Sequence, residues 1–333
     1  MRSRRNDSRS SRHAMNPSPA GGRGDGVRVA RDDASSTLHA PPSSGPSGHL
    51  LPPAGEGKLP PGAVRRDVER HRGTESVHVA DAIAEEIPVA FVYNDRPHAV
   101  MMATPADLED FALGFSLTEA IIAAAQECEN VEIVPALAGI ELRIAIPAAR
   151  AVRLEDRARE LTGRTGCGLC GAQTLEAAVR HPAPVARPGE IDAGALRSAL
   201  SELQRRQTIN VATGATHAAA WAAPDGKLLL VREDVGRHNA LDKLVGAMLR
   251  ADIDVRAGFL VVTSRASYEM VMKAATVGIG ALAAISAPTA LAIALARECN
   301  VTLIGFARSG SYSVYAHARH VHDASRDDAG AGP

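Results

Sequence analysis

The sequence is poor in aromatic side chains and in cysteine. Phe, Tyr and Trp make up 3% of its 333 residues, whereas Ala, Val, Leu and Ile are plentiful, so we expect an aliphatic core. A chain of this length can bury one large core or two ordinary ones. The four cysteines, Cys128, Cys167, Cys170 and Cys299, are too few for a disulfide scaffold, and no signal-peptide pattern precedes them. We therefore expect a cytoplasmic protein.

A strong excess of either charge is also missing. The formal net charge is −1, and the first sixty residues hold nine Lys or Arg against five Asp or Glu. The remainder is therefore mildly acidic, whereas a dedicated nucleic-acid binder presents a strongly basic surface. The composition predicts that nucleic acid is not a partner.

A membrane-spanning segment is disfavoured on different grounds. Residues 276–296, TVGIGALAAISAPTALAIALA, form an uncharged run that is long enough to cross a bilayer. The run consists largely of Ala with Gly, Ser, Thr and a central Pro288, and it has few large apolar side chains. We interpret it as a buried strand, a turn and a helix of a globular domain.

The domain organisation follows from changes in composition. Residues 1–74 are rich in Arg, Ser, Gly and Pro and lack an apolar period, so they are predicted to be a disordered extension. Residues 75–180 are predicted to form an N-terminal α+β subdomain that ends in a loop with two cysteines. Residues 181–322 are predicted to form an α/β part, and residues 323–333 a disordered tail. A Pro-rich connection at residues 181–188 is a candidate hinge between the two folded parts.

Turn and capping residues locate individual elements. Asn94 and Asp95 are predicted to join two strands. Thr104, followed by Pro105, is predicted to be the N-cap of the next helix. Asp192 is predicted to cap a later helix.

The second half of the chain alternates between apolar strands and single helices. This alternation predicts a sheet with parallel strands that is covered on both faces. In such sheets, ligands bind beyond the carboxyl ends of the strands. The loops after Thr263, Ser286 and Phe306 are therefore candidate binding segments.

The stretch GRTGCGLCGAQTLEAA places Cys167 and Cys170 among glycines. Only one close pair of cysteines is present and the chain has no His-x-Glu sequence, so neither a four-ligand zinc site nor a zinc deaminase is favoured. Arg164 and the predicted start of a helix just after Cys170 favour a thiolate. The spacing leaves a disulfide oxidoreductase and a sulfur carrier as alternatives.

The stretch EDVGRHNALDKLVG concentrates charge where a turn meets a predicted helix. One interpretation is a phosphate or diphosphate site made by the helix N-terminus with Arg237, His238 and Lys243. The other is a capped, exposed terminus with Asn239 or His238 as the cap.

Two further stretches place an arginine beside hydroxyl groups at predicted strand ends. Arg265 lies in TSRASYEM, and Arg308 lies in FARSGS. Together with Arg237, these arginines fit a large polyanionic ligand better than a small neutral one. Neither stretch is a P-loop or a dinucleotide fingerprint.

Taken together, RTGCGLCG, EDVGRHNALDKLVG, SRASYEMVMKAA, ISAPTALAIALA and GFARSGSYSVYAH resemble the formate dehydrogenase accessory sulfurtransferase family, also called FdhD. The upstream MMATPADLEDFALGFSLTEAII is similar to that family as well, so the match extends over about residues 76–322. The Cys-x-x-Cys alone is a weak signal, whereas five motifs in the right order are a strong one.

The resemblance implies a cytoplasmic sulfur carrier, a sulfurtransferase that accepts persulfide sulfur from a cysteine desulfurase. It implies transfer of that sulfur to the molybdenum cofactor, bis-molybdopterin guanine dinucleotide, before the cofactor is inserted into formate dehydrogenase. It also implies a homodimer. The implied fold is a cytidine-deaminase-like mixed sheet covered by helices, with a smaller N-terminal α+β subdomain and without the zinc site.

The same resemblance assigns the site residues. Cys167 corresponds to the persulfide-bearing cysteine and Cys170 to its neighbour, which either relays sulfur or tunes Cys167. The segment that contacts the cofactor corresponds to Phe306, Ala307, Arg308, Ser309, Gly310 and Ser311. This sequence departs from the family pattern at Ala120, where Gly is usual. Two alternative functions are a cofactor-binding chaperone without sulfur chemistry and a zinc-deaminase-like enzyme.

Overall fold

The computed structural model of the protein describes residues 58–161 and 180–323, the side chains of residues 155–161 excepted. The strands in this part are β1 (Ala63–Arg72), β2 (Glu75–Ala84), β3 (Ile87–Tyr93), β4 (Arg96–Ala103), β5 (Asn130–Ala136), β6 (Gly139–Ala145), β7 (Ile191–Asp192), β8 (His217–Ala222), β9 (Leu228–Asp234), β10 (Phe259–Val262), β11 (Ala281–Ala284), β12 (Thr302–Arg308), β13 (Ser311–Ala316) and β14 (Val321–His322). The helices are α1 (Leu108–Thr118), α2 (Ala148–Leu161), α3 (Ala193–Arg206), α4 (Thr208–Thr213), α5 (Arg237–Arg250), α6 (Tyr268–Thr276) and α7 (Ala290–Glu298). The predicted mixed α/β class is confirmed.

A six-stranded sheet in the order β13-β12-β11-β10-β8-β9 forms the centre of the second half. Its members β10, β11 and β12 are parallel, and every residue of β10 and β11 is buried. One face packs against a cluster that includes Leu244 of α5 and Met270 of α6, and the other against Leu196 and Leu203 of α3. The prediction of parallel strands covered on both faces is therefore confirmed.

A four-stranded sheet in the order β4-β3-β6-β5 packs against α1 in the first half. Three of the five phenylalanines of the chain meet there: the ring centroids of Phe91 lie 5.0 Å from Phe111 and 4.2 Å from Phe115. Most of the phenylalanines thus lie under α1, whereas the clusters on the large sheet are mainly aliphatic apart from Trp221 and Phe259.

One predicted turn and one predicted cap agree with the structure. Asn94 and Asp95, with φ of 46° and 64°, connect β3 to β4 in a two-residue turn. The side chain of Asp192 accepts a hydrogen bond of 2.8 Å from the backbone N–H of Ala195 and caps α3. The uncharged run at residues 276–296 contains the end of α6, strand β11 and most of α7. None of the helices in the described part is long and apolar enough to cross a membrane.

The predicted extent of disorder is wrong at its C-terminal end. Residues 63–72 form β1, which pairs with β2 over ten residues from Ala63↔Ala84 to Arg72↔Glu75. Most side chains of β1 are charged, so its sequence lacks the apolar alternation from which a strand is predicted. The strand forms because its backbone pairs with β2 and because it contacts α4. Residues 1–57 and 324–333 lie outside the described part. All described residues belong to one compact unit, so the division at residue 180 stays a prediction.

The predicted start of α1 is also wrong. The helix begins at Leu108 after Asp107, which adopts a left-handed conformation, and not after Thr104. Thr104 is fully buried, and its polar groups bond to distant residues instead of to α1. Ala120, just after the helix, has φ of 55°, a conformation that costs a non-glycine residue about 1–2 kcal/mol. Glycine at this position would avoid this cost.

Helices α1 and α5 approach closely because each has a glycine at their contact. A Cβ atom on Gly114 would lie 1.7 Å from the carbonyl oxygen of Asp242, and one on Gly246 would lie 1.9 Å from the carbonyl oxygen of Asp110. Both distances are shorter than any van der Waals contact, so glycine is required for this crossing. The crossing joins the two halves of the molecule.

We predict that Gly246→Ala lowers the free energy of unfolding by about 2 kcal/mol. Alanine gains about 1 kcal/mol in helix propensity, but the clash with backbone atoms costs about 3 kcal/mol. Chemical denaturation of the two proteins measures the difference. Gly310→Ala is the control, because a Cβ atom there meets nothing within 4 Å. Equal stability of Gly246→Ala and wild type would contradict the close crossing.

Candidate functional site

One edge of the six-stranded sheet collects the carboxyl ends of four strands. Strand β8 is antiparallel to both β9 and β10, so β9 runs in the same direction as the parallel strands β10, β11 and β12. All four therefore end at the same edge, where His217 begins β8. Ligand sites of such sheets lie at this edge.

The loops that follow these strands contact one another. The backbone N–H of Thr289 donates to the carbonyl oxygen of Ala266 at 3.1 Å, and that of Phe306 donates to the carbonyl oxygen of Ser286 at 3.1 Å. The candidate segments after Thr263, Ser286 and Phe306 are thus brought together by the fold.

The predicted cofactor segment is a β-hairpin at the end of β12. Arg308 pairs with Ser311 across a tight turn formed by Ser309 and Gly310, and all four are exposed. Ala307 is buried in the core below the hairpin. The hairpin therefore presents one guanidinium group and two hydroxyl groups to solvent on a rigid base.

Phe306 is held in an unfavourable conformation at the base of this hairpin. Its φ is 51°, and a register shift in the β12–β13 pairing falls between Gly305 and Arg308. Its side chain is 43% exposed, although burial would stabilise a phenylalanine. Bulky residues with positive φ are rare and occur preferentially at functional sites. The structure thus places an exposed aromatic side chain on a strained backbone, two residues before Arg308 in β12.

The turn before α5 is held by one buried carboxylate. Asp234 accepts hydrogen bonds from the backbone N–H groups of Thr104 and Gly236 at 3.0 and 2.7 Å, from Nδ2 of Asn239 at 3.0 Å and from Nζ of Lys243 at 2.6 Å. The Asp234 and Lys243 side chains are both completely buried. Burial lowers the pKa of Lys243, and the adjacent Asp234 counteracts that shift.

This arrangement corrects two interpretations of the α5 start. Lys243 does not face an anion site, because its ammonium group is used by Asp234 and by the carbonyl oxygen of Thr104 at 2.8 Å. The N-cap of α5 is Gly236, and neither Asn239 nor His238 caps the helix. Of the predicted anion-binding groups, Arg237 and His238 remain at the edge.

His238 connects the first turns of α5 and α6. Its Nε2 lies 2.6 Å from Oε2 of Glu269, an ion-pair distance without the alignment of a hydrogen bond. The contact with His238 is the main cause that lowers the pKa of Glu269, against the effect of burial. Burial, and then the charges of Arg237 and His238, lower the pKa of His217, so its imidazole is neutral near pH 7.

A second network of buried charged side chains joins α5, α6 and the end of α1. Nζ of Lys273 donates to both carboxylate oxygens of Asp242 at 3.0 and 2.9 Å and lies 2.8 Å from Oε1 of Glu119. Glu119 also pairs with Arg180, the first described residue after the cysteine stretch. Burial would lower the pKa of Lys273, but Asp242 and Glu119 outweigh it and raise that pKa.

The predicted catalytic residues Cys167 and Cys170 lie outside the described residues. Cys299 is buried in the core and Cys128 packs partly against the cluster under α1, and burial raises the pKa of both thiols. Both therefore serve as small core hydrophobes. In residues 58–161 and 180–323, no group of three or more His, Cys, Asp or Glu side chains is arranged to hold a metal ion.

Sequence reasoning did not single out His217 or Glu269 as site residues. His217 lies twenty residues before Arg237, and only the antiparallel pairing of β8 with β9 brings its strand to the same edge. Glu269 would have been found from its position in the first turn of a helix that follows an arginine-bearing loop.

The amino-acid sequence of this chain is similar to those of known proteins. The model of the FdhD/NarQ family matches residues 84–322. A protein from Xanthomonas euvesicatoria pv. vesicatoria (strain 85-10), named Sulfur carrier protein FdhD, is 57% identical over 261 residues, which are 78% of this chain and 93% of the relative. A protein of the same name from Cupriavidus necator is 51% identical over 280 residues, 84% of this chain and 97% of the relative.

A solved structure shows the same fold. It comes from Desulfotalea psychrophila and is provisionally described as a formate dehydrogenase accessory protein. The match has a TM-score of 0.63 and 23% sequence identity, and it covers 79% of this chain and all of that chain. The resemblance inferred from the five motifs is confirmed.

We predict that the ionised Glu119 side chain stabilises the protein near neutral pH and that this stabilisation is lost as the pH falls toward 2. Burial raises its pKa, but Lys273 and Arg180 lower it more, to about 2 from the ordinary 4.5. A carboxylate with a depressed pKa contributes stability above its unfolded pKa and loses it as pH falls through the folded pKa. The difference in unfolding free energy between wild type and Glu119→Gln should therefore shrink by about 3 kcal/mol from pH 5 to pH 2.

Denaturation curves at a series of pH values measure this difference. Glu129→Gln removes an exposed carboxylate nearby and serves as the matched control. A pH-independent difference for Glu119→Gln would show that the Lys273 and Arg180 contacts do not hold Glu119 as an anion.

Proposed function

Because this chain belongs to the FdhD/NarQ family, we propose that it is a sulfur carrier in the maturation of formate dehydrogenase, with a cysteine persulfide on Cys167 as its intermediate. Persulfide sulfur comes from a cysteine desulfurase. The acceptor is the molybdenum cofactor, bis-molybdopterin guanine dinucleotide, before its insertion into formate dehydrogenase.

The observation that carries this proposal is the similarity to proteins named as sulfur carriers. The relatives are 51–57% identical to the chain and are covered over 93–97% of their own length. Their names apply to them, and the near-complete coverage supports the same role for this chain. The crystal structure from Desulfotalea psychrophila supports the fold alone.

The chemistry requires one accessible, acidic thiol. In transpersulfidation, a thiolate attacks the outer sulfur of the donor persulfide, the donor S–S bond breaks, and the donor leaves as a thiolate, so no net redox change occurs. Cys167 has Arg164 and Cys170 nearby in sequence, which favour its thiolate. Cys128 and Cys299 are unsuitable because burial raises the pKa of both thiols.

The exposed hairpin at residues 306–311 fits the cofactor as substrate. The cofactor has two guanine bases and two diphosphates, which require an aromatic surface and cationic donors. Phe306 offers an exposed ring, and Arg308 and Ser309 offer donors to phosphate oxygens. A protein of this kind works in the cytoplasm, and we propose that it acts as a homodimer.

A cofactor-binding chaperone without sulfur chemistry is the second candidate. The hairpin favours it equally, because cofactor binding alone would use the same residues. The two functions differ only in whether Cys167 accepts sulfur.

We predict that Cys167 gains one sulfur atom when the protein is incubated with a cysteine desulfurase and cysteine. Mass spectrometry of the Cys167 peptide measures the gain. Cys167→Ala should abolish formate dehydrogenase activity in cells while the variant still folds and still binds GDP. Cys128→Ala is the control and should retain both formate dehydrogenase activity in cells and GDP binding. Full formate dehydrogenase activity with Cys167→Ala would favour the chaperone.

We predict that Phe306→Gly weakens GDP binding without loss of stability. Glycine relieves the positive φ, whereas loss of base stacking reduces affinity by about 1–3 kcal/mol, which is roughly fivefold to 150-fold. Calorimetric titration with GDP and thermal unfolding measure the two effects. Leu137→Gly, which removes another exposed apolar side chain, is the control. Unchanged GDP affinity in Phe306→Gly would remove the ring from the proposed site.

A further inference from the structure

Strands β1 and β2 form an arm, residues 63–84, that packs little against the rest of the described part of the chain. The two strands make a sheet of their own, and Ala82 is the one buried residue among their twenty. The main contact of the arm with another element is with α4. Because an isolated two-stranded sheet is only marginally stable in water, the arm gains stability from a further packing surface.

The branched aliphatic side chains of the arm all lie on one of its faces. Residues opposite each other in an antiparallel pair share a face, and so do residues two apart along a strand. By the observed register, this valine face carries Val64, Val68, Val77, Val79 and Ile83. None of the five belongs to a hydrophobic cluster of the described residues, and Val77 and Ile83 are 51% and 40% exposed. The alternation in β2 is typical of a strand with one covered face.

The charges on the valine face suit a second copy of the same arm. A two-fold axis along the arm places β1 of one copy over β2 of the other, so each residue faces the ladder partner of its own copy. Valine then meets valine, and Arg72 meets Glu75 at two symmetric contacts. Neither Arg72 nor Glu75 has an ion-pair partner among the described residues. The face is therefore complementary to itself in charge as well as in apolar surface.

The size of the arm indicates how far such an interface extends. Ten residues on two strands cover about 34 Å by 10 Å, or about 340 Å². A stable interface buries about 800 Å² on each partner, so neighbouring surface must contribute.

The outer side of β4 supplies that neighbouring surface. Val100 and Met102 are 66% and 49% exposed, and they alternate with β4 residues that pack under α1, so they point away from that helix. A Cβ atom on Gly62, at the base of the arm, would lie 2.3 Å from Cγ2 of Thr104, just after β4. The arm thus starts beside the exposed end of β4.

We propose that the valine faces of two copies pack against each other and that, with the outer side of β4, they form the interface of a homodimer. This proposal rests on the homodimer of the proposed function and names its surface. The arm contains neither a cysteine nor a residue of the hairpin at 306–311, so sulfur loading and GDP binding do not require this contact.

Sedimentation velocity of the full-length protein over a range of concentrations tests the proposal. Wild type should be a dimer. Val77→Asp places a carboxylate of each copy in the apolar centre of the interface and should raise the dissociation constant of the dimer roughly a hundredfold. Leu137→Asp is the matched control, because Leu137 is an exposed apolar residue in the turn between β5 and β6, and it should leave the dissociation constant unchanged.

Exchange of the charges shows whether two arms meet. Arg72→Glu and Glu75→Arg should each weaken the dimer roughly tenfold, because like charges then face each other at both symmetric contacts. An equimolar mixture of these two variants should restore the wild-type dissociation constant, since opposite charges meet again at both contacts of the mixed dimer.

A wild type that stays monomeric, a dimer that persists unchanged in Val77→Asp, or a mixture that associates as weakly as its components would overturn the proposal. Thermal unfolding shows whether each variant folds, and the charge exchange decides the question if Val77→Asp does not. Sulfur loading of Cys167 and GDP binding should be normal in Arg72→Glu. Failure of the sulfur-carrier function and failure of this interface are therefore seen in separate measurements.

Discussion

The buried ion pair between Asp234 and Lys243 is the interaction on which the candidate site depends. Each side chain is costly to bury alone, and the Nζ to Oδ2 contact of 2.6 Å together with three further donors to the carboxylate offsets that cost. The pair sets the direction in which α5 leaves the sheet. Through the two hydrogen bonds between Thr104 and the turn, it also fixes the end of β4 against that turn. The conformation of Gly236 and Arg237 at the sheet edge follows from it.

Two other charged groups connect α1 to the rest of the molecule. Asp110 accepts from Arg232 of β9 and Arg250 of α5, and Lys273 of α6 connects Asp242 with Glu119. With the glycine-mediated crossing, these contacts make α1 a shared element of both sheets. The pairing of Arg180 with Glu119 extends this framework to the residue that follows the cysteine stretch. The edge that presents the hairpin is therefore supported from behind by polar contacts as well as by apolar packing.

The sequence allowed prediction of those features that have local signals. The Asn94-Asp95 turn, the Asp192 cap and the alternation of apolar strands with helices each depend on neighbouring residues, and the convergence of three loops follows from parallel strand order. Thr104 carries the same local signal as an N-cap, but its partners are 130 and 131 residues away, so no local pattern distinguishes the two cases. Lys243 was misinterpreted although Asp234 is only nine residues away, because its other acceptor, the carbonyl oxygen of Thr104, is 139 residues away. The strain at Phe306 is a property of the folded backbone alone.

The sequence separation of the Thr104 contacts bears on how the protein is made. Thr104 and Lys243 are 139 residues apart, and ribosomes add about 5–20 residues per second. A nascent chain therefore exposes the end of β4 for roughly seven to thirty seconds before Lys243 is synthesised. Until α5 is synthesised, the face of α1 that contains Gly114 has no helix to pack against. The N-terminal sheet and α1 thus emerge from the ribosome with their α5-contacting surface still exposed to solvent. The polypeptide completes its tertiary structure only after most of its length has been translated.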